Sequence, residues 1–312
     1  MIRPRSIWGP YPPTPRQWLL LALTLISVAY AGGTNWDPPA SWAAPDYVPS
    51  FFPQSFGDLL ERLQAGLPFC LWIMAILGSH EMGHYIACRL HRVPATWPYF
   101  LPAPFIFMFG TFGAVIRIRA PFNTRRALFD VAIAGPIAGF VVTLIALAVG
   151  LWTATGVPEE SFFEDGGGGI LFGLPWIADL MAEWLRPGES LQMNGTLGAA
   201  WAGLLVTTLN LFPAGQLDGG HLVFALSERW HRRLSVVALL IAIGSVEYAL
   251  WRGQVPTYAV WVIVLAWMRD RHPPLPYDAE PLGPGRRLLF WIAAAIFILS
   301  FHWLPIEIVA PS

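Results

Sequence analysis

LPFCLWIMAILGSHEMGHYIACRL, residues 67–90, is an apolar run long enough to cross a bilayer, yet it carries His80, Glu81 and His84 in its second half. On a helix, positions i and i+4 share a face. His80 and His84 can therefore grip one metal ion while Glu81, about 100° round, is left as a base. Ionisable side chains are costly in hydrocarbon, so this cluster implies a buried aqueous reaction site inside a membrane helix.

The rest of the chain agrees with a membrane setting. Its 312 residues are 55% hydrophobic and only 12% charged, with a mean hydropathy of +0.51, where soluble domains average roughly 25% charged. Apolar runs lie at Trp18 to Ala31, Leu67 to Leu90, Ala127 to Trp152, Thr196 to Leu226, Leu234 to Trp251, Thr257 to Met268 and Leu288 to Leu304. The expected fold is an all-α polytopic membrane protein of about seven transmembrane helices, or six if the short sixth run inserts only partially. The whole chain, 1–312, reads as one membrane domain, with a core at about 67–226 and C-terminal helices at about 234–304. Between the second and third runs, Phe112 to Arg119 alternates in strand fashion, and Tyr99 to Phe109 can pair with it. A membrane-associated β-hairpin is expected there, in a protein-lined or wet cavity because open sheet edges are not tolerated against lipid. Its free edge either accepts an extended peptide by strand addition or closes a purely structural plug.

Orientation follows from arginine, since the chain has no lysine. Arg3, Arg5 and Arg16 precede the first run, and Arg89, Arg92, Arg117, Arg119, Arg125 and Arg126 separate the second from the third. Arg229, Arg232 and Arg233 follow the fourth run, and Arg269, Arg271, Arg286 and Arg287 follow the sixth. Only Arg62, Arg186 and Arg252 fall on alternate loops, with the acidic Glu159, Glu160, Glu164 and Asp165. The N-terminus and the metal-binding end of the second helix are thus expected to face the cytoplasm, most simply across a bacterial plasma membrane. No cleaved signal peptide is expected. Gly32 to Gln64 reads as an irregular external loop with aromatic anchors, and Trp176 to Leu185 as an amphipathic piece resting on the membrane. Cys70 and Cys88 read as packing residues.

Two histidines leave zinc short, because catalytic zinc usually takes three protein ligands and a water. Asp218 is the candidate third donor: it sits in apolar surroundings within Asn210-Leu211-Phe212-Pro213-Ala214-Gly215-Gln216-Leu217-Asp218-Gly219-Gly220. Pro213 removes a helical hydrogen bond and Gly219-Gly220 loosen the chain, so Asp218 can bend toward another helix. His221 is expected to bond backbone or face water, Asp130 to bias the start of the third helix through the helix dipole, and Glu247 to lie in a helix interface. Gly135 and Gly139 permit close helix packing.

The pair of signatures His80-Glu81-x-x-His84 and Asn210-x-x-Pro213-x-x-x-x-Asp218-Gly219, each in an apolar segment, resembles the site-2 protease family. Gly110-Thr111-Phe112-Gly113-Ala114, Arg125-Arg126-Ala127-Leu128-Phe129-Asp130 and Gly135-Pro136-Ile137-Ala138-Gly139 add to it, and they resemble the bacterial and plastid branch without an inserted PDZ domain. The resemblance implies one Zn2+ per chain held by His80, His84 and Asp218, Glu81 as general base, and substrates that are transmembrane or membrane-anchored proteins. It gives Asn210 a hydrogen bond to substrate backbone or the developing oxyanion; an asparagine in a membrane helix also serves simply to bond a neighbouring helix. The activity implied is intramembrane endoproteolysis. A metal-ion transporter or sensor is the alternative from another class, and a catalytically dead membrane scaffold the third. The lipid bilayer is the other expected partner, and no nucleic acid is expected.

Overall fold

The structure, a computed structural model, describes residues 12–43, 50, 52–105, 107–157, 169–268, 272–273, 275 and 281–309. In chain order the elements are α1 (Pro15–Asn35), a 3-10 turn (Ala40–Ala43), α2 (Phe56–Ala65), α3 (Leu67–Leu90), β1 (Tyr99–Pro102), β2 (Thr111–Val115), α4 (Arg125–Thr153) and β3 (Gly169–Phe172). They continue with α5 (Trp176–Leu185), α6 (Gly195–Leu211), α7 (Asp218–Leu226), α8 (Glu228–Trp251), α9 (Ala259–Met268), α10 (Pro284–Ser300) and β4 (Ile306–Val309). Each of the seven apolar runs contains a helix. α1, α4 and α8 are long and apolar enough to cross a membrane, and α2 with α3, bent by 53° at their junction, form a fourth candidate. The chain is a mostly helical, multi-pass membrane protein. α6, with 17 residues, and α9, with 10, are shorter. Arg3, Arg5, Arg269, Arg271, the acidic cluster at 159–165 and Gly166 to Gly168 lie outside the described residues.

The chain divides into two compact units, each assembled from three separate segments. The first holds residues 1–121, 138–155 and 192–203. Here α1 starts on a capping box, in which the Thr14 hydroxyl accepts from the Gln17 amide and the Gln17 side chain accepts from the Thr14 N–H. The expected irregular loop instead contains α2. Ser55 caps it by accepting from the Asp58 N–H at 3.0 Å, and Asp58 pairs with Arg62 at 2.9 Å one turn on. Arg62 is fully buried, and its Nη1 also donates to the Tyr30 hydroxyl at 3.2 Å, so the desolvated cation is fully engaged. α1 can cross this bend only because Gly33 and Gly66 meet there: a Cβ on either would overlap the Arg62 or Ala29 carbonyl. β1 pairs antiparallel with β2, Tyr99 opposite Val115, with an irregularity between Phe100 and Pro102. Gly110, at φ +70°, turns the chain between the strands, and its carbonyl accepts from Ser27 Oγ at 2.7 Å, which docks the turn on α1.

The second unit holds residues 122–137, 156–191 and 204–312. The fourth apolar run is two helices rather than one. α6 stops at Leu211, Phe212 to Leu217 turn, and α7 begins at Asp218. Pro213 cannot continue the helix, and Gly215 takes φ +56°. Gly219 and Gly220 act through close approach rather than looseness: they lie in the first turn of α7, where a Cβ would overlap the carbonyls of Leu211 and Ala214. Asp130 is an ion-pair partner, accepting from Arg286 Nε at 2.7 Å and Nη2 at 2.6 Å. Glu247 is exposed, not in a helix interface. β3 and β4, which no sequence pattern announced, pair antiparallel from Gly169 opposite Val309 to Phe172 opposite Ile306.

Candidate metal centre

α3 carries the first half of the site. With no break between Leu67 and Leu90, the i, i+4 spacing stacks His80 over His84, their ring centroids 4.8 Å apart and their Nε2 atoms 3.1 Å apart. Two Nε2 atoms at that separation either share one proton or point their lone pairs at one cation. Nitrogens about 2.0–2.1 Å from a tetrahedral zinc would stand about 3.3 Å apart, so the pair is close to pre-set for such an ion. His80, Glu81 and His84 are all buried, at 5%, 8% and 7% exposure.

The packing behind His80 leaves no slack. A Cβ added at Gly139 of α4 would lie 3.1 Å from His80 Cβ and 3.2 Å from its Nδ1. The expectation that Gly139 permits close packing thus acquires a specific neighbour, the His80 ring. Gly139→Leu is expected to displace that ring and weaken metal binding by about 10–100-fold, the range for lost ligand support. A chelator-competition titration checks this, and unchanged affinity would show that Gly139 does not hold the ring.

Glu81 has a partner that the sequence did not reveal. Its Oε2 accepts from the backbone N–H of Ile116, just past β2, at 2.8 Å. The strand segment thereby fixes the carboxylate. Because the donor is main chain, the identity of residue 116 carries no signal; only the strand alternation at 112–119 hinted that backbone donors lie near.

Asp218 is half-buried and opens α7, where the helix dipole favours a carboxylate. His80 and His84 belong to the first unit and Asp218 to the second, and each offers a ligand atom of a kind that zinc takes. Two imidazole nitrogens and one carboxylate oxygen are a donor set of catalytic zinc. Asn210 is half-buried in the last turn of α6, before the break, so it and Asp218 do not share one helix. Cys88 is buried.

His221 does not simply bond backbone or water. Its Nδ1 is 2.8 Å from His272 Nε2, and His272 Nδ1 donates to the Pro273 carbonyl at 2.8 Å, which makes His221 the donor of the pair. His272 stacks on Phe224 with centroids 3.6 Å apart. Burial pushes its pKa down to about 4, with His231 adding to the shift and Glu228 opposing it. The neutral ring is the folded form, so His272 contributes stability above its unfolded value near 6.5, and that contribution is lost as pH falls from 6.5 to about 4. Thermal midpoints are expected to drop across this window, and to drop less in His272→Phe, which keeps the stack. Equal slopes in the two proteins would exclude His272 as the titrating group.

A sequence model described as Peptidase family M50 matches residues 68–250, more than half of the chain. The chain is 32% identical over 254 residues to "Probable zinc metalloprotease EGY2, chloroplastic" of Oryza sativa subsp. indica, covering 78% of this chain and 43% of that protein. It is 31% identical over 258 residues to the Arabidopsis thaliana protein of the same name, covering 80% and 43%. With "Probable zinc metalloprotease EGY1, chloroplastic" of Oryza sativa subsp. japonica the identity is 28% over 255 residues, covering 78% and 41%. The chain therefore spans less than half the length of these curated relatives.

Proposed function

Since the chain belongs to peptidase family M50, the site-2 protease family, we propose that it is a zinc-dependent intramembrane endopeptidase acting on transmembrane or membrane-anchored proteins. The observation that carries this reading is the buried pair His80 and His84, their Nε2 atoms 3.1 Å apart, with Glu81 adjoining them on α3; Asp218 is the proposed third ligand. When bound, zinc supplies a Lewis acid for the scissile carbonyl and a water acidified toward pKa ~7.

The residues divide the remaining work. His80 and His84 bind through ring nitrogens and Asp218 through a carboxylate oxygen. Glu81 takes the proton of the attacking water as oxygen adds to the carbonyl carbon, and returns it to the leaving nitrogen as the C–N bond breaks. The Ile116 N–H keeps Glu81 in place during both transfers. Asn210 hydrogen-bonds substrate backbone or the developing oxyanion. A substrate helix has its peptide groups already bonded, so it must unwind before its carbonyl is reached, and the edge of the β1–β2 pair offers main-chain partners for the unwound strand. In the bilayer the seven apolar runs serve as spans of one membrane domain, with the core at about 67–226. The start of α1 and the metal centre face the cytoplasm of a bacterial plasma membrane.

A transporter would string its ligands along several spans, whereas His80 and His84 lie one turn apart on α3 and adjoin a base. The test is mass spectrometry of membrane peptides from cells carrying wild-type protein or Glu81→Gln. Products ending inside an apolar segment are expected only with the wild type. Their absence from both would overturn the proposal, and zinc uptake into vesicles that survives Glu81→Gln would favour transport.

A further inference from the structure

Within the second unit α6, α7, α8 and α10 line a partly open hollow of about 550 Å³, inside the range of ligand pockets, about 300–1,000 Å³. Every residue that lines it is apolar; Leu222, Leu226, Trp230, Phe290, Ala294 and Phe297 mark its walls. An apolar hollow of this kind in a membrane helix bundle has hydrocarbon as its natural filling.

One end of the hollow is cationic. Arg125 at the start of α4 reaches Glu228 at the start of α8 at 3.5 Å, and Asp130, one turn further along α4, pairs with Arg286 at the start of α10. The first turns of α8 and α10 are thereby tied to the same end of α4. At that end the Arg233 guanidinium lies 5.4 Å over the ring of Trp230, a wall residue. Arg287 is three residues before Phe290 and four before Trp291, both wall residues, and so shares their helix face. Arg229, Arg232, Arg233 and Arg287 are exposed, and among the described residues none of them has a carboxylate within ion-pairing distance. Trp230 and Trp291, 55% and 68% exposed, bracket the level at which a headgroup meets acyl chain.

We propose that this cavity is a binding site for one anionic phospholipid, with an acyl chain between α7, α8 and α10 and the phosphate against Arg233 and Arg287. The charge decides the occupant: an apolar substrate helix would leave the unpaired arginines without a counter-charge, and a zwitterionic lipid would bring a cation into the cationic end along with its phosphate, whereas basic pockets at the ends of membrane helices suit anionic headgroups. The site has a structural consequence. Gly219, which lines the cavity, is the residue after Asp218, so the lipid buttresses the helix that presents the carboxylate.

The test is native mass spectrometry of the detergent-purified full chain titrated with phosphatidylglycerol or with phosphatidylcholine of the same acyl chains. One phosphatidylglycerol per chain is expected to remain under activation that strips phosphatidylcholine. Arg233→Gln with Arg287→Gln is expected to weaken its retention by on the order of tenfold or more. Ala294→Trp, which fills the hollow without touching the arginines, is expected to abolish the retained adduct. Equal retention of the two lipids by wild type, retention unmoved by both variants, or displacement of phosphatidylglycerol by an equimolar single-span apolar peptide would each overturn the proposal. None of these readouts depends on peptide cleavage, so failure here leaves the proteolytic reading untouched.

Discussion

Glu81→Gln is expected to reduce cleavage of a co-expressed membrane substrate by about 10²–10⁴-fold, the range general-base catalysis supplies, with protein abundance and bound zinc unchanged. The substitution is isosteric. A glutamine carbonyl oxygen still accepts from the Ile116 N–H, now 2.8 Å from the carboxylate, so the local fold and the strand contact survive. What is lost is the ability to take a proton. Activity that persists in a zinc-loaded Glu81→Gln protein would remove Glu81 from the base role.

The second large effect concerns the metal. Asp218→Ala is expected to lower zinc affinity more than about 100-fold, beyond the 10–100-fold typical of losing a mere supporting contact. Cleavage should fall to background at limiting zinc. The fold should tolerate the change, because Asp218 is the first residue of α7, where no intrahelical hydrogen bond depends on its side chain. Zinc analysis of dialysed wild type and variant checks this. Equal zinc content in both would mean that Asp218 is not a ligand.

How much of this was legible beforehand differs by element. The apolar run at 67–90 is helical over the same residues, because in hydrocarbon a continuous apolar segment with internally satisfied backbone has no competing structure. The i, i+4 histidines follow directly from that helix. Asp218 could be nominated from its surroundings, but the manner of its presentation could not. The notion of flexible glycines loosening one helix gave way to a break at Leu211 and a new helix starting on the aspartate. Gly219 and Gly220 are there because backbone packs against backbone, which a one-dimensional pattern cannot distinguish from mobility. The same ambiguity hid Gly139, whose role depends on which side chain lies behind it.

Other features were silent for physical reasons. α2 was hidden in a proline- and aromatic-rich stretch, yet Ser55, Asp58 and Arg62 carry a legible cap and i, i+4 pair. β3 and β4 pair across most of the second unit's sequence, and four-residue strands at such separation leave no local period to read. Asp130 was read as a dipole charge because its partner, Arg286, is 156 residues away. The tie between His221 and His272 crosses 51 residues and was equally invisible.

Zinc K-edge X-ray absorption of the purified protein tests the centre itself. The account predicts a shell of light nitrogen and oxygen atoms at about 2.0–2.1 Å with the outer-shell scattering of two imidazoles. Sulfur at about 2.3 Å, which would bring in Cys88, or a third imidazole, which would bring in His221, would contradict it.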